Sequence, residues 1–260
     1  MEHPHRESQK WPDIIWIIRH GESAGNVARA AAEALGSPTI ETAHRDADIP
    51  LSELGRRQAA ALGQWFGSLP DEERPTVALV SPYKRAHETA ALLLEHAAID
   101  VADIPFILDE RLREKEFGIF DRMTKAGIRQ VYPEQAEAYS ALGKFYHRPP
   151  GGESWCDIIL RLRSVNDTIT REYRRERVLI VAHQVVINCF RYLFERLTED
   201  QILDADRRED IANCSVTSYE FDPLLGRKGK LAPRLYNFVT PLEEAGEPIT
   251  TKKDVPVAPK

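Results

Sequence analysis

Apolar residues along this chain follow two rhythms. Unbroken runs occur at Ile14-Ile15-Trp16-Ile17-Ile18, Val77-Ala78-Leu79-Val80 and Val178-Leu179-Ile180-Val181-Ala182. Each has the length of a strand buried on both faces, as in the middle of a parallel sheet. Between them the apolar positions recur at helical spacing: Ala59, Leu62, Trp65 and Phe66, then Leu92 to Leu94, then Trp155, Ile158, Ile159, Leu162 and Val165. Ser52 is a predicted N-cap, and Ser81 caps a helix with Pro82 in its first turn. Shorter strands are predicted at Ile104 to Leu108, Ser215 to Phe221 and Leu235 to Val239. Thr124 to Phe145 reads as helix broken at Pro133, part of a helical excursion from Gly118 to Arg148 over one end of the sheet. Strands alternating with helices predict a three-layer α/β/α sandwich with a mostly parallel central sheet and a helical insertion near the active site. No repeat or composition shift divides the chain, so one catalytic domain is expected over 12–240, with flexible termini at 1–11 and 241–260.

Composition narrows the class. At 260 residues, 42% hydrophobic and 29% charged, the chain suits a globular protein with a sizeable core. A net charge of −6 argues against nucleic acid or an anionic membrane as the main partner. Cys156, Cys189 and Cys214 are far apart and lack metal-site spacing, which fits a reducing compartment. The polar start, Met1 to Lys10, shows no signal-peptide pattern, so a cytoplasmic location is expected. The oligomeric state stays open, a homodimer being one option.

The chemistry gathers where strands end. Ile18 gives way at once to Arg19-His20-Gly21, Val80 to Ser81-Pro82-Tyr83-Lys84-Arg85, and Ala182 to His183. Ligands of open α/β sheets bind at such strand ends, and the helix N-termini that follow favour anions. Two guanidinium groups and two imidazoles on one sheet edge would suit a phosphoryl group, with one imidazole as nucleophile. The long polar loop from Gly36 to Asp48 lies where it could shape a pocket. Nucleotide-binding glycine loops and short-spaced metal-ligand clusters are absent, and no metal or cofactor is expected. Taken alone, Lys84, Arg85 and Glu88 read as a solvated helix face, and Arg111 to Gly118 as a solvated turn. His44, His87, His96 and His147 are expected on the surface.

Arg19-His20-Gly21-Glu22-Ser23 with Asn26 resembles the signature of the histidine phosphatase superfamily, which includes the cofactor-dependent phosphoglycerate mutases. Further blocks match in order: Pro50 to Gly55, Ser81 to Ala86, Leu112 to Gly118, Pro150 to Ser154 and Val178 to His183. The resemblance implies that His20 carries the phosphoryl group as phosphohistidine, one ring nitrogen being held by backbone near Gly21 or Ser23. It assigns Arg19, Arg85 and His183 to the equatorial oxygens, with Ser23, Asn26 and Gln184 as further substrate-binding residues. Glu114 matches the family's proton donor, although Glu116 shares its face if the stretch is extended, and Asp121 is a third candidate. Gln184 replaces a frequent Gly, and the His-Asp pair of the acid-phosphatase branch is missing. Metal-independent hydrolysis of a small phosphorylated metabolite is the expected activity. A phosphoglycerate mutase is the first alternative, weakened because no Trp- and Asp-bearing stretch lies between Asn26 and Asp48. A non-catalytic phospho-ligand-binding module is the second.

Overall fold

The computed structural model describes residues 9–251. In chain order the elements are β1 (Ile14–Arg19), α1 (Ala24–Ala34), α2 (Glu53–Ser68), β2 (Val77–Val80), α3 (Lys84–His96), β3 (Phe106–Leu108), α4 (Lys125–Val131), α5 (Pro133–Tyr146), α6 (Trp155–Glu172), β4 (Arg177–Ala182), α7 (Gln184–Glu195), α8 (Glu199–Arg208), β5 (Val216–Asp222), β6 (Lys230–Phe238) and α9 (Thr240–Glu244). The strands form one sheet in the order β3-β2-β4-β1-β5-β6. The first four are mutually parallel, whereas β5 runs antiparallel to both β1 and β6.

The continuous apolar runs are explained by the pleat, which sends alternate side chains to opposite faces. Ile15 and Ile17 join Val178, Ile180 and the stripe Trp155, Ile158, Leu162 and Val165 of α6 on one face. Trp16 and Ile18 join Leu179, Val181, Leu62 and Phe66 of α2, and Leu93 and Leu94 of α3 on the other. Helices on both faces complete the three layers. The excursion beyond Gly118 has its own small core, Phe120, Met123 and Ile128. A bridge between Thr39 and Met123 ties it to the loop after α1.

Several boundaries differ from the reading of the chain. Helix α3 starts at Lys84 with Tyr83 as its N-cap, so Ser81 lies outside it. β6 begins at Lys230 and includes Pro233, which an edge strand tolerates because it has no second neighbour to bond. His147, expected on the surface, is 3% exposed and packs edge-on to Tyr139 and parallel to Phe120. The expected flexible ends are packed where described. Gln9 is buried and donates to the Trp11 carbonyl and to Asp13, while Trp11 lies edge-on to Phe194. Residues 241–251 form most of α9 and a strap bonded to the body, with Leu242 fully buried. The remainder of that expectation, residues 1–8 and 252–260, lies outside the described residues.

Candidate active site

His20 follows β1 directly, and its amide extends the parallel ladder by donating to the Ala182 carbonyl at 3.0 Å. Its Nδ1 lies 2.7 Å from the Gly21 carbonyl. A carbonyl only accepts, so the proton sits on Nδ1 and the lone pair is left on Nε2. The loop that follows is fastened from every side. Gly21 N–H donates to Thr89 Oγ1 and Glu22 N–H to Gln58 Oε1. The His20 carbonyl accepts from Asn213 Nδ2 at 2.9 Å. Asn213 Oδ1 accepts from Thr250 Oγ1, which also accepts from Gln58 Nε2, so the strap closes a ring of hydrogen bonds around the loop. Gly21 and Gly55 permit this closeness: a Cβ on Gly21 would stand 2.5 Å from the Gly55 carbonyl oxygen, and one on Gly55 2.0 Å from that of Glu22.

Four other groups converge on His20 from neighbouring elements. Arg19, the last residue of β1, donates to the Ile211 carbonyl. Arg85, in the first turn of α3, places Nε 3.3 Å from His20 Nε2. His183 ends β4 and caps α7, its ring centroid 5.2 Å from that of His20. Glu114 Oε2 lies 3.9 Å from His183 Nδ1. All five side chains are 0–2% exposed. The first amides of α7, beginning with Gln184, have no intrahelical acceptor, and their positive helix end adds to the anion-favouring field.

The two carboxylate candidates separate in space. Glu114 is buried beside His183, whereas Glu116 is half exposed and accepts from the Tyr83 hydroxyl at 3.0 Å. The turn between them is held by Glu153, which accepts from the Glu116 amide and pairs with Arg113 and Arg161. Thus Arg111 to Gly118 is anchored rather than simply solvated. Asp121 is not among the groups around His20; burial and nearby Asp46 push its carboxyl up. Ser23 and Asn26 form the capping box of α1, the Ser23 hydroxyl accepting from Asn26 N–H and Asn26 Oδ1 accepting from Ser23 N–H. Gln184 donates through Nε2 to Asp210 at 3.1 Å.

Three residues that the reading of the chain does not place in the site touch this constellation. Ser81 Oγ is 2.8 Å from His183 Nε2 and also accepts from the Tyr83 N–H just before α3 at 3.3 Å. Tyr83 packs edge-on to His183 and under the Arg85 guanidinium, and burial pushes its hydroxyl far up, with help from Glu116. Asp46, in a short 3-10 turn of the loop before α2, binds Arg85 through its carbonyl at 2.6 Å and its carboxylate at 3.1 and 3.3 Å. A hydroxyl at a strand end and an acid in a long loop carry no periodic signal; only the fold brings them here. Among the described residues no group of three or more His, Cys, Asp or Glu is placed to hold a metal ion, and no helix is long and apolar enough to cross a membrane. The three cysteines are unpaired, and burial pushes the Cys189 and Cys214 thiols well up.

The chain is similar to several known proteins. The family model of the histidine phosphatase superfamily (branch 1) matches residues 15–227. A 2,3-bisphosphoglycerate-dependent phosphoglycerate mutase 2 from Gloeobacter violaceus is 30% identical over 80% of this chain and 85% of the mutase. A fructose-2,6-bisphosphatase from Saccharomyces cerevisiae is 31% identical over 73% of this chain, which spans only 36% of that relative. Among solved structures, Bacillus stearothermophilus YhfR superposes with a TM-score of 0.67 at 28% identity, covering 88% of this chain and 98% of that one. A mycobacterial glucosyl-3-phosphoglycerate phosphatase with inorganic phosphate shares the fold, with a TM-score of 0.62 at 22% identity and coverage of 88% and 99%.

Proposed function

The chain belongs to the histidine phosphatase superfamily (branch 1), and from that premise we propose that it is a metal-independent phosphomonoesterase acting on a small phosphorylated metabolite through a phosphohistidine. One observation carries the reading: a buried His20 has Nδ1 tied to the Gly21 carbonyl and Nε2 beside the Arg85 guanidinium. A neutral imidazole aimed at an anion site is a nucleophile for phosphorus.

His20 Nε2 attacks the phosphorus in line with the ester oxygen. Arg19, Arg85 and His183 spread the charge of the equatorial oxygens, which needs positioning and electrostatics rather than covalent help. Glu114 delivers a proton to the leaving alkoxide. The same carboxylate then takes a proton from the water that cleaves the phosphorus–nitrogen bond, returning His20 and releasing phosphate. Asp46 holds Arg85 through three contacts, so phosphate entry exchanges those contacts for phosphate oxygens or adds to them.

His20→Ala tests the reading. Wild-type enzyme quenched during turnover should retain acid-labile, alkali-stable phosphate, and the variant should show neither that phosphate nor hydrolysis. Turnover in the purified variant would eliminate His20 as nucleophile. The similarity to the Gloeobacter violaceus mutase favours a second reading, transfer of the phosphoryl group back to a phosphoglycerate. Mutase activity would interconvert 2- and 3-phosphoglycerate faster than it releases phosphate; the phosphatase reading requires the reverse.

A further inference from the structure

The end of the sheet opposite His20 carries a second concavity. It is a groove of about 1090 Å³ between α6, the end of α7 and the β5–β6 hairpin. Ile14 pairs with Glu220, and Glu220 with Ala232, so the start of β6 lies level with the start of β1. Six residues of strand at about 3.3 Å each separate that level from His20, roughly 20 Å. The groove is therefore separate from the phosphoryl site.

Its lining is strongly cationic. Arg163, Arg196, Arg227, Lys228 and Lys230 surround it, with Asp167 as the only carboxylate among the lining residues. Several exposed arginines elsewhere do have carboxylate partners: Arg45 with Asp48, Arg57 with Glu247, Arg148 with Asp157 and Arg234 with Glu220. None of the five groove cations makes a side-chain ion pair or hydrogen bond among the described residues. Five like charges held around one depression repel one another, although the chain as a whole is at −6. An anion with several charges removes that repulsion and gains charge-assisted hydrogen bonds. The lining also includes Trp11, edge-on to Phe194, with Tyr192 and Leu231. A volume at the upper end for small-molecule sites leaves room for a planar body as well as a charged tail.

We propose that this groove binds an organic polyphosphate of the nucleoside triphosphate class, its phosphates on the five cations and its planar body against Trp11 and Tyr192. The site stands whether or not the catalytic reading holds.

The test is calorimetric titration of ATP into the full chain with the catalytic pocket filled by excess orthovanadate, followed in parallel by tryptophan fluorescence. One ATP per chain should bind. Affinity should fall about tenfold or more in Arg227→Glu/Lys228→Glu and, from a different element, in Arg163→Glu. Hydrolysis of p-nitrophenyl phosphate by these variants should match wild type, which shows that they fold. Trp11→Leu should weaken ATP several-fold while leaving inorganic tripolyphosphate unaffected. No ATP binding at millimolar concentration, or binding indifferent to charge reversal, overturns the proposal. Tripolyphosphate binding as tightly as ATP overturns the contact with the planar body and thus the ligand class.

Discussion

Lys115 should destabilise the protein that contains it. The residue is 8% exposed, its ammonium lies over the Phe117 ring at 4.7 Å, and burial lowers its pKa from 10.5 to about 8 against the pull of Glu114 and Glu153. Between those two values the unfolded chain keeps a proton that the folded chain has lost, so stability rises as pH climbs through this window. At 1.36 kcal/mol per pH step, the charged group costs the fold about 3 kcal/mol below pH 8, about 2 at pH 9 and under about 1 at pH 10. Replacing Lys115 with Met keeps the aliphatic stem and removes the charge, losing about 0.5–2 kcal/mol of cation–π attraction. Lys115→Met should therefore gain about 1–2 kcal/mol at pH 7, about 2–8 °C in melting temperature for a domain of this size. Urea unfolding of both proteins at pH 7, 8, 9 and 10 measures it: the variant's advantage should shrink steadily with pH. A loss of stability at pH 7, or a difference independent of pH, would refute the reasoning. Because Glu114 precedes Lys115 and accepts its amide, activity should be measured alongside; a stabler but slower variant would show that the buried charge serves the site.

Three further outcomes are expected. Glu114→Gln should lower kcat by about 10²–10⁴-fold on an alkyl phosphate and far less on p-nitrophenyl phosphate, while Glu116→Gln affects both mildly; leaving-group dependence that follows Glu116 would overturn the assignment. Ser81→Ala removes the 2.8 Å contact to His183 Nε2, so kcat should fall and its pH profile shift with KM nearly constant. An unchanged profile would separate Ser81 from the chemistry. EDTA should leave the rate unchanged, and restoration of a lost rate by Mg²⁺ or Zn²⁺ would contradict metal independence.

The interior was the most legible part of this chain. A residue such as Ile17, apolar between apolar neighbours, can be satisfied only by burial on both faces, and the run around it reads as a central strand without further help. The residues where those strands end, Arg19, His20 and His183, follow from the same pattern, since polarity returns where each strand stops; Arg85, in the first turn of α3, reads by itself as part of a solvated helix face, and only packing buries it. Contacts set by tertiary packing were not legible. Ser81 reads as a helix cap by local chemistry, and its hydroxyl does accept from the Tyr83 N–H, but it also reaches His183 across 102 residues of chain. Asp46 sits in an aperiodic loop, and only the packing of that loop on α3 brings it to Arg85. His147 looks like a surface histidine because its neighbours Arg148 and Lys144 are polar, but Phe120 and Tyr139 come from elsewhere to cover it. The stretch 241–251 lacks periodicity because the buried Leu242 and individual hydrogen bonds hold it to the body, which leaves no hydrophobic rhythm. Glu114 and Glu116, two residues apart in the chain, part in space: one carboxylate turns inward to His183 and the other to the Tyr83 hydroxyl, a separation that packing sets and spacing alone does not show.

The hydrogen-bonded ring around the His20 loop also bears on the order in which the molecule becomes competent during its synthesis. His20 is made early, but its carbonyl is held by Asn213, and Asn213 is held by Thr250. Contacts across about two hundred residues close late, because the chain between them must first surrender its freedom. The sheet centre and α2 can therefore assemble around a nucleophile that is not yet fixed. A nascent chain lacking Thr250 could enclose a core before it has a finished catalytic loop. Newly made protein would thus pass through a folded interval in which the His20 loop is not yet closed.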